Sequence, residues 1–197
     1  MEDPHSQYRY QVRFEWGAVG AATVGIGVDV IVWVDVLDTE ATFVPDAADS
    51  HVQAIATDPL RDILPQAAVV AGGFRNRTAV AQWVLDQQAV KGDRFTVAVI
   101  AAGGVRADGT SRFTVEDMLA AGAVVDALAG VGIDYCSPEA AAACAAFTTL
   151  TRASAHLVSA SGSGQQLIDL GRRSDVDDAC EVDVSQSVPV LRGTEQS

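Results

Sequence analysis

Val28-Asp29-Val30-Ile31-Val32-Trp33-Val34-Asp35 is a nearly unbroken apolar run between two acids. A strand exposed on one face alternates apolar and polar residues, whereas a strand covered on both faces does not need to. This run therefore reads as a central strand of a sheet with helices on either side. Two shorter runs of the same kind follow, Ala67-Ala-Val-Val-Ala71 and Phe95-Thr-Val-Ala-Val-Ile100. Each is closed by a glycine pair, Gly72-Gly73 and Gly103-Gly104, and each leads toward a helical pattern. Helices are expected from about Thr78 to Val90, from Thr114 to about Leu128, from Pro138 to roughly Ser154, from Gln165 to Leu170 and from Asp175 to Cys180. Strands alternating with helices give an α/β fold, a three-layer α/β/α sandwich around a mixed, largely parallel sheet.

Working outward, Tyr10, Val12 and Phe14 alternate with Arg9, Gln11, Arg13 and Glu15, the period of a half-buried strand. Gly17, Gly20, Gly25 and Gly27 then argue against a long helix. Residues 1–8 read as a flexible tail and 9–197 as one α/β domain. The acidic, Pro-containing stretch 38–66 reads as irregular, with a short helix near His51 to Ala56. Val188 to Leu191 is expected to be a last strand. Thr114 with Asp117 three residues on resembles a capping box, and Ser137-Pro138 is a strong helix start.

The apolar fraction of 49% is enough for a substantial core, and a net charge of −13 makes nucleic acid and anionic membranes poor partners. An acidic small molecule would need a local positive site. Lys91 is the only lysine, so arginine would have to supply it, unless the arginine bias is merely compositional. Three cysteines without C-x-x-C spacing, a polar N-terminus and no run of ~18–20 apolar residues point to a cytoplasmic protein. A homo-oligomer remains open.

Open α/β sheets bind ligands at the carboxyl ends of their strands. Two loops are placed there: Gly72-Gly73-Phe74-Arg75-Asn76-Arg77 and Gly103-Gly104-Val105-Arg106. Glycines allow close approach, helix N-termini favour anions, and Arg75, Arg77 and Arg106 carry charge. Neither loop has a nucleotide-binding pattern, and either one alone is equally an ordinary turn with a solvated arginine. Asp35, Asp38 and Glu40 close the first strand and are either a Mg2+ foothold or an acidic surface loop. Glu116 and Asp117 sit where acids complement a helix dipole. His5, His51 and His156 have no metal-ligand spacing.

The ordered set of motifs resembles the 2-phosphosulfolactate phosphatases, Mg2+-dependent enzymes of coenzyme M biosynthesis. It comprises Val34-Asp-Val-Leu37, Gly72-Gly73 through Asn76 with Ala79-Val-Ala81, and Ala101-Ala-Gly-Gly104. It continues with Phe113-Thr-Val-Glu-Asp117 and Ala121-Gly122, then Ser163-Gly-Gln-Gln-Leu167 with Leu170-Gly171, and Asp177-Asp-Ala-Cys180 through Asp183 to Val188-Pro189. The resemblance implies a Mg2+-dependent phosphatase acting on a small phosphorylated, acidic hydroxy acid. Asp35 would hold the metal and Glu116 or Asp117 would be a second acid. Gly72, Gly73, Arg75, Asn76, Gly103, Gly104 and Arg106 would hold the substrate. The family pattern after the first strand resembles Asp-x-Leu-Arg-Ala-Thr, and here Asp38 stands at the arginine. The family's Thr-Thr-Asn-Gly-Thr loop is not found. These departures imply the alternative, a catalytically degenerate relative serving as a metabolite-binding or assembly module.

Overall fold

The computed structural model describes residues 3–37 and 67–192. Its strands are β1 (Val12–Trp16), β2 (Val30–Val34), β3 (Ala68–Ala71), β4 (Val97–Ala101), β5 (Gly104–Val105), β6 (Ser111–Arg112) and β7 (Val190–Arg192). Five of them form the main sheet in the order β1-β4-β2-β3-β7, and β5 and β6 form a separate hairpin. Pairings β1–β4, β4–β2 and β2–β3 are parallel, and β7 joins β3 antiparallel. The sheet is thus mixed and largely parallel, as the sequence implies.

The helices are α1 (Gly17–Val24), α2 (Arg77–Lys91), α3 (Val115–Gly130), α4 (Pro138–Leu150), α5 (Ser154–Ala160), α6 (Gly162–Asp169) and α7 (Arg173–Ala179). Successive strand residues point to opposite faces. Val30, Val32, Val34, Val97 and Val99 pack with Val80 and Val84 of α2, Leu119 and Val124 of α3 and Phe147 of α4. Ile31, Trp33, Val69, Ala98 and Ile100 pack on the other face with Ala21 and Val24 of α1. Those two cores make the α/β/α sandwich and explain why β2 and β4, buried throughout, need no polar residues.

Several local readings differ from the structure for physical reasons. Helix α1 forms despite Gly17 and Gly20, because Ala21 and Val24 bury against the sheet. Its carboxyl end is also capped from outside: the buried Arg13 guanidinium donates to Val24 O at 2.8 Å and Ile26 O at 3.0 Å. Cations at a helix C-terminus answer its unpaired carbonyls. Gln7, in the stretch read as a tail, is buried and clamps Phe14, donating from Nε2 to its carbonyl and accepting from its amide. This side chain occupies the free edge of β1, which would otherwise present open backbone groups. The helix expected to run unbroken to Ser154 stops at Leu150, followed by a 3-10 turn over Thr151–Ala153. There Thr148 and Thr151 donate their hydroxyls back to carbonyls of the preceding turn, which competes with helix continuation. The helix expected at His51 to Ala56 lies outside the described residues. Among the described residues no helix is long and apolar enough to cross a membrane.

Helices α3 and α4 approach closely through small residues. A Cβ built on Gly122 would stand 2.1 Å from Ala143 O, a backbone atom that cannot swing away. Gly122→Ala should therefore destabilise the fold by about 1–3 kcal/mol. Gly130→Ala in the same helix, where a Cβ meets nothing within 4 Å, should be neutral or stabilising by a few tenths of a kcal/mol. Urea unfolding of both variants checks the contrast.

Candidate active site at the strand ends

The carboxyl ends of β2 and β4 are joined by one side chain. Asp117, in the first turn of α3, is 2% exposed. Its Oδ1 accepts from Val36 N at 2.9 Å, and its Oδ2 accepts from Gly103 N at 2.9 Å and from Thr114 Oγ1 at 2.7 Å. The capping-box reading of Thr114 is replaced by this arrangement: the hydroxyl makes no cap bond to the helix backbone and donates to Asp117 instead. Gly103 turns with φ +70°, which lets its amide aim at the carboxylate; a side chain there would be strained in the left-handed region. Burial pushes the Asp117 carboxyl up to about 6 against these three donors, and the neighbouring Glu116 adds to the rise. Glu116 is also 2% exposed and makes no hydrogen bond or ion pair among the described residues.

The first glycine loop is held by Asn76, fully buried in the 3-10 turn Phe74–Asn76 that precedes α2. Its Oδ1 accepts from Gly73 N at 3.0 Å, and its Nδ2 donates to Ala71 O at 3.2 Å and Ser187 O at 3.0 Å. Gly72 is needed for packing: a Cβ there would lie 2.5 Å from Val32 Cγ1. Arg77 does not line the cleft beside Asp35 and Arg75. It bridges Asp183 at 2.8 Å and Asp126 at 2.9 Å and lies over the Phe147 ring. Asp183 in turn accepts from Thr78 N at the start of α2.

Between these anchors lies a small cleft lined by Asp35, Val36, Gly73, Phe74, Arg75 and Ala179, with about 220 Å³ of empty space including open solvent. Asp35 is half-buried just beyond β2. Arg75 donates to Glu181 Oε2 at 2.7 Å and to Asp178 O, while its buried Nε has no hydrogen-bond partner among the described residues. A Cβ on Gly73 would meet nothing within 4 Å, so this wall stays open because the residue is glycine. The structure thus brings Asp35, Gly73 and Arg75 together. A carboxylate beside an arginine with an unused donor suits a small oxyanion, with or without a hard cation.

The remaining candidates are dispersed. Arg106 lies on the exposed β5–β6 hairpin, donates to Ser111 O, and is not in the cleft lining. Gly104 lies against Arg112, whose Nη2 would be 2.7 Å from a Cβ at that position. Arg112 escaped the sequence reading because it lies in a short hairpin strand rather than after a glycine pair. The bracing roles of Asn76 and Asp117 were also hidden, since their partners are backbone amides and carbonyls far along the chain. Among the described residues no three His, Cys, Asp or Glu side chains cluster as a metal site. Mg2+ nevertheless needs only one or two protein carboxylates, with waters and phosphate oxygens completing its octahedron, so Asp35 fits it. Asp117 does not, since both its oxygens already accept from N–H or O–H groups. Asp38 and Glu40 lie outside the described residues. Cys136, Cys144 and Cys180 are free, and burial pushes all three thiols up, so they are packing residues rather than thiolate ligands.

Fold and cleft together define an α/β/α protein with a small cleft at the carboxyl ends of its parallel strands. A family model described as 2-phosphosulpholactate phosphatase matches residues 56–194, more than half of the chain, and the chain belongs to that family. A search of curated proteins finds no match. The matched region includes both glycine loops, Arg112 and Asp117 but not Asp35, whose assignment rests on its place in the cleft.

The raised carboxyl of Asp117 has a signed consequence. A group whose folded pKa exceeds its unfolded value stabilises when protonated, and that contribution is lost as pH rises through the folded value. For Asp117 the loss falls between about pH 4 and about pH 6. Urea midpoints measured from pH 4 to 7 should fall more steeply across this window in the wild type than in Asp117→Asn. The variant should also be less stable by about 1–3 kcal/mol, because its amide NH2 must face an N–H or O–H donor. Parallel pH profiles would contradict the assignment.

Proposed function

We propose that this chain is a phosphoric monoester hydrolase that removes phosphate from a small phosphorylated, acidic hydroxy acid, with Mg2+ held at Asp35. The observation that carries the proposal is the cleft itself, where Asp35 and Arg75 line one opening at the ends of β2 and β3. Membership in a phosphatase family supports it.

In this reading Arg75, pinned by Glu181 and Asp178 O, lines the cleft as its one cation among the described residues, and its buried Nε becomes a phosphate donor once the wall around it shifts. Gly73 keeps the opening clear, and Asn76 fixes Gly73 by taking its amide. Mg2+, when bound, would offset charge on the leaving oxygen and activate water. Of the two acids opening α3, Glu116 makes no hydrogen bond or ion pair among the described residues and is the candidate for proton handling, although it is buried and outside the cleft lining. Asp117 is a positioning residue.

A second reading, a metabolite-binding relative without turnover, is favoured by two observations. Arg75 is already paired with Glu181, and Asp38 stands where the family pattern has an arginine. Phosphate release from a panel of phospho-hydroxy acids, with and without Mg2+, decides between them. The hydrolase reading expects Mg2+-dependent release, lowered about 100-fold or more by Asp35→Asn and by Arg75→Gln. It also expects Gly73→Leu to retain stability while losing turnover. Saturable binding of the same compounds with no release on any of them favours the second reading.

A further inference from the structure

The two arginines of the first glycine loop are answered by carboxylates that are held very differently. Asp183, on Arg77, is locked from several sides. Its carboxylate accepts from Arg77 Nε at 2.8 Å and from Thr78 N at 2.9 Å, and its own amide donates to Phe74 O at 3.0 Å. Glu181, on Arg75, makes one side-chain contact among the described residues: its Oε2 accepts from Arg75 Nη1 at 2.7 Å. The Glu181 side chain is 51% exposed and that of Arg75 only 17%. An ion pair whose anion is this exposed is weak, because water solvates the anion in competition with the cation and salt screens the attraction. Asp183 is a brace, and Glu181 is displaceable.

Arg75 keeps its place without Glu181. The same Nη1 also donates to Asp178 O in the last turn of α7, and the Arg75 carbonyl accepts from Ser185 N at 2.9 Å. The guanidinium is therefore still anchored when the carboxylate leaves. Glu181 stands just past the end of α7, its amide held by Asp178 O at 3.2 Å. Departure of its carboxylate needs only rotation of one exposed side chain, a motion of picoseconds to nanoseconds, with the backbone in place. Arg75 lines the cleft together with Asp35 and with Ala179 of the same α7 end. While Glu181 sits on Arg75, the one cation of the cleft lining among the described residues is already answered by an acid of the chain itself.

We propose that Glu181 is an internal competitor for the cleft: its carboxylate occupies Arg75 in the free protein and swings into solvent when a ligand oxyanion takes its place. The inference rests on the reading of the cleft as an oxyanion site and adds how that site is kept from filling indiscriminately. A monocarboxylate exchanges one contact for a like one and still bears the cost of association. A phosphate group, with more charge and more acceptor oxygens, gains on the exchange.

The test is titration of the full chain, with Mg2+ present, by inorganic phosphate and separately by acetate at matched ionic strength. The NMR signals of Arg75 Nε–H and Glu181 Cδ report on each partner in the wild type. Phosphate should move both along one saturation curve, and acetate should bind about tenfold more weakly. Glu181→Gln should tighten the binding of phosphate and of acetate about three- to tenfold, and Arg75→Gln should abolish saturation. Asp177→Asn is the control for diffuse charge, since it removes an exposed acid of α7 that pairs with Arg173 and not with Arg75, and it should stay within about twofold of wild type. The proposal is overturned if Glu181 stays still while Arg75 saturates, if phosphate gives no saturable shift at Arg75, or if acetate binds as tightly as phosphate. It is equally overturned if Glu181→Gln tightens binding no more than Asp177→Asn does. The wild-type Glu181 signal decides alone should the variant fold poorly. Because no turnover is read, a chain that passes yet releases no phosphate keeps the competitor and loses the hydrolase reading. A Mg2+-dependent hydrolase whose Glu181 never leaves Arg75 does the reverse.

Discussion

The carboxylate of Asp117 lies in the interior with an amide from the end of β2 on one oxygen and an amide from the end of β4 on the other. These strands are neighbours, and without the carboxylate their last amides would diverge into separate loops. Burying a carboxylate is costly unless its oxygens are all engaged, so this arrangement exists only if Val36, Gly103 and Thr114 are all in place. That requirement reaches far into the fold. Helix α3 has to deliver Asp117 to the sheet edge, which depends on its close packing against α4 at Gly122. Gly103 has to turn left-handed. The loops carrying Asp35 and Gly104 then leave the sheet in fixed directions.

The glycine loops are organised by the same principle, that buried polar groups must be satisfied. Asn76 takes the Gly73 amide and gives its own N–H groups to Ala71 O and Ser187 O. It thereby ties the end of β3 to the chain approaching β7. Asp183 and Ser185 donate their amides to Phe74 O and Arg75 O, so the last segment of the chain backs the cleft. The arginines of this acidic protein are mostly spent on such bracing. Among the described residues the cleft lining holds a single cation, Arg75.

The sheet was legible because burial leaves a one-dimensional mark: apolar runs at Val30–Val34 and Val97–Ala101 permit few other readings. The glycine pairs following the β3 and β4 runs located the site's edge for a related reason, since backbone must approach backbone there. Helix α1 was not legible. Its glycines argue only against a long helix, and the short one that forms is capped by Arg13 reaching over from β1. Asp117 and Asn76 were recognised as polar residues at the right places, yet their sequence carries nothing about which amides they accept from. Arg75 and Arg106 looked equivalent, each following a glycine pair. Tertiary packing separates them, placing one on the cleft wall and the other on an exposed hairpin.

The central claim is that the opening between Asp35, Gly73 and Arg75 holds a metal and a phosphoryl group together. Anomalous diffraction from crystals soaked in Mn2+ and phosphate tests this most directly, Mn2+ standing in for Mg2+ with the same preference for oxygen ligands. The account predicts a Mn2+ peak on Asp35 with a phosphate oxygen against the Arg75 guanidinium. A metal bound elsewhere, or a cleft that stays empty of both at saturating concentrations, would contradict it.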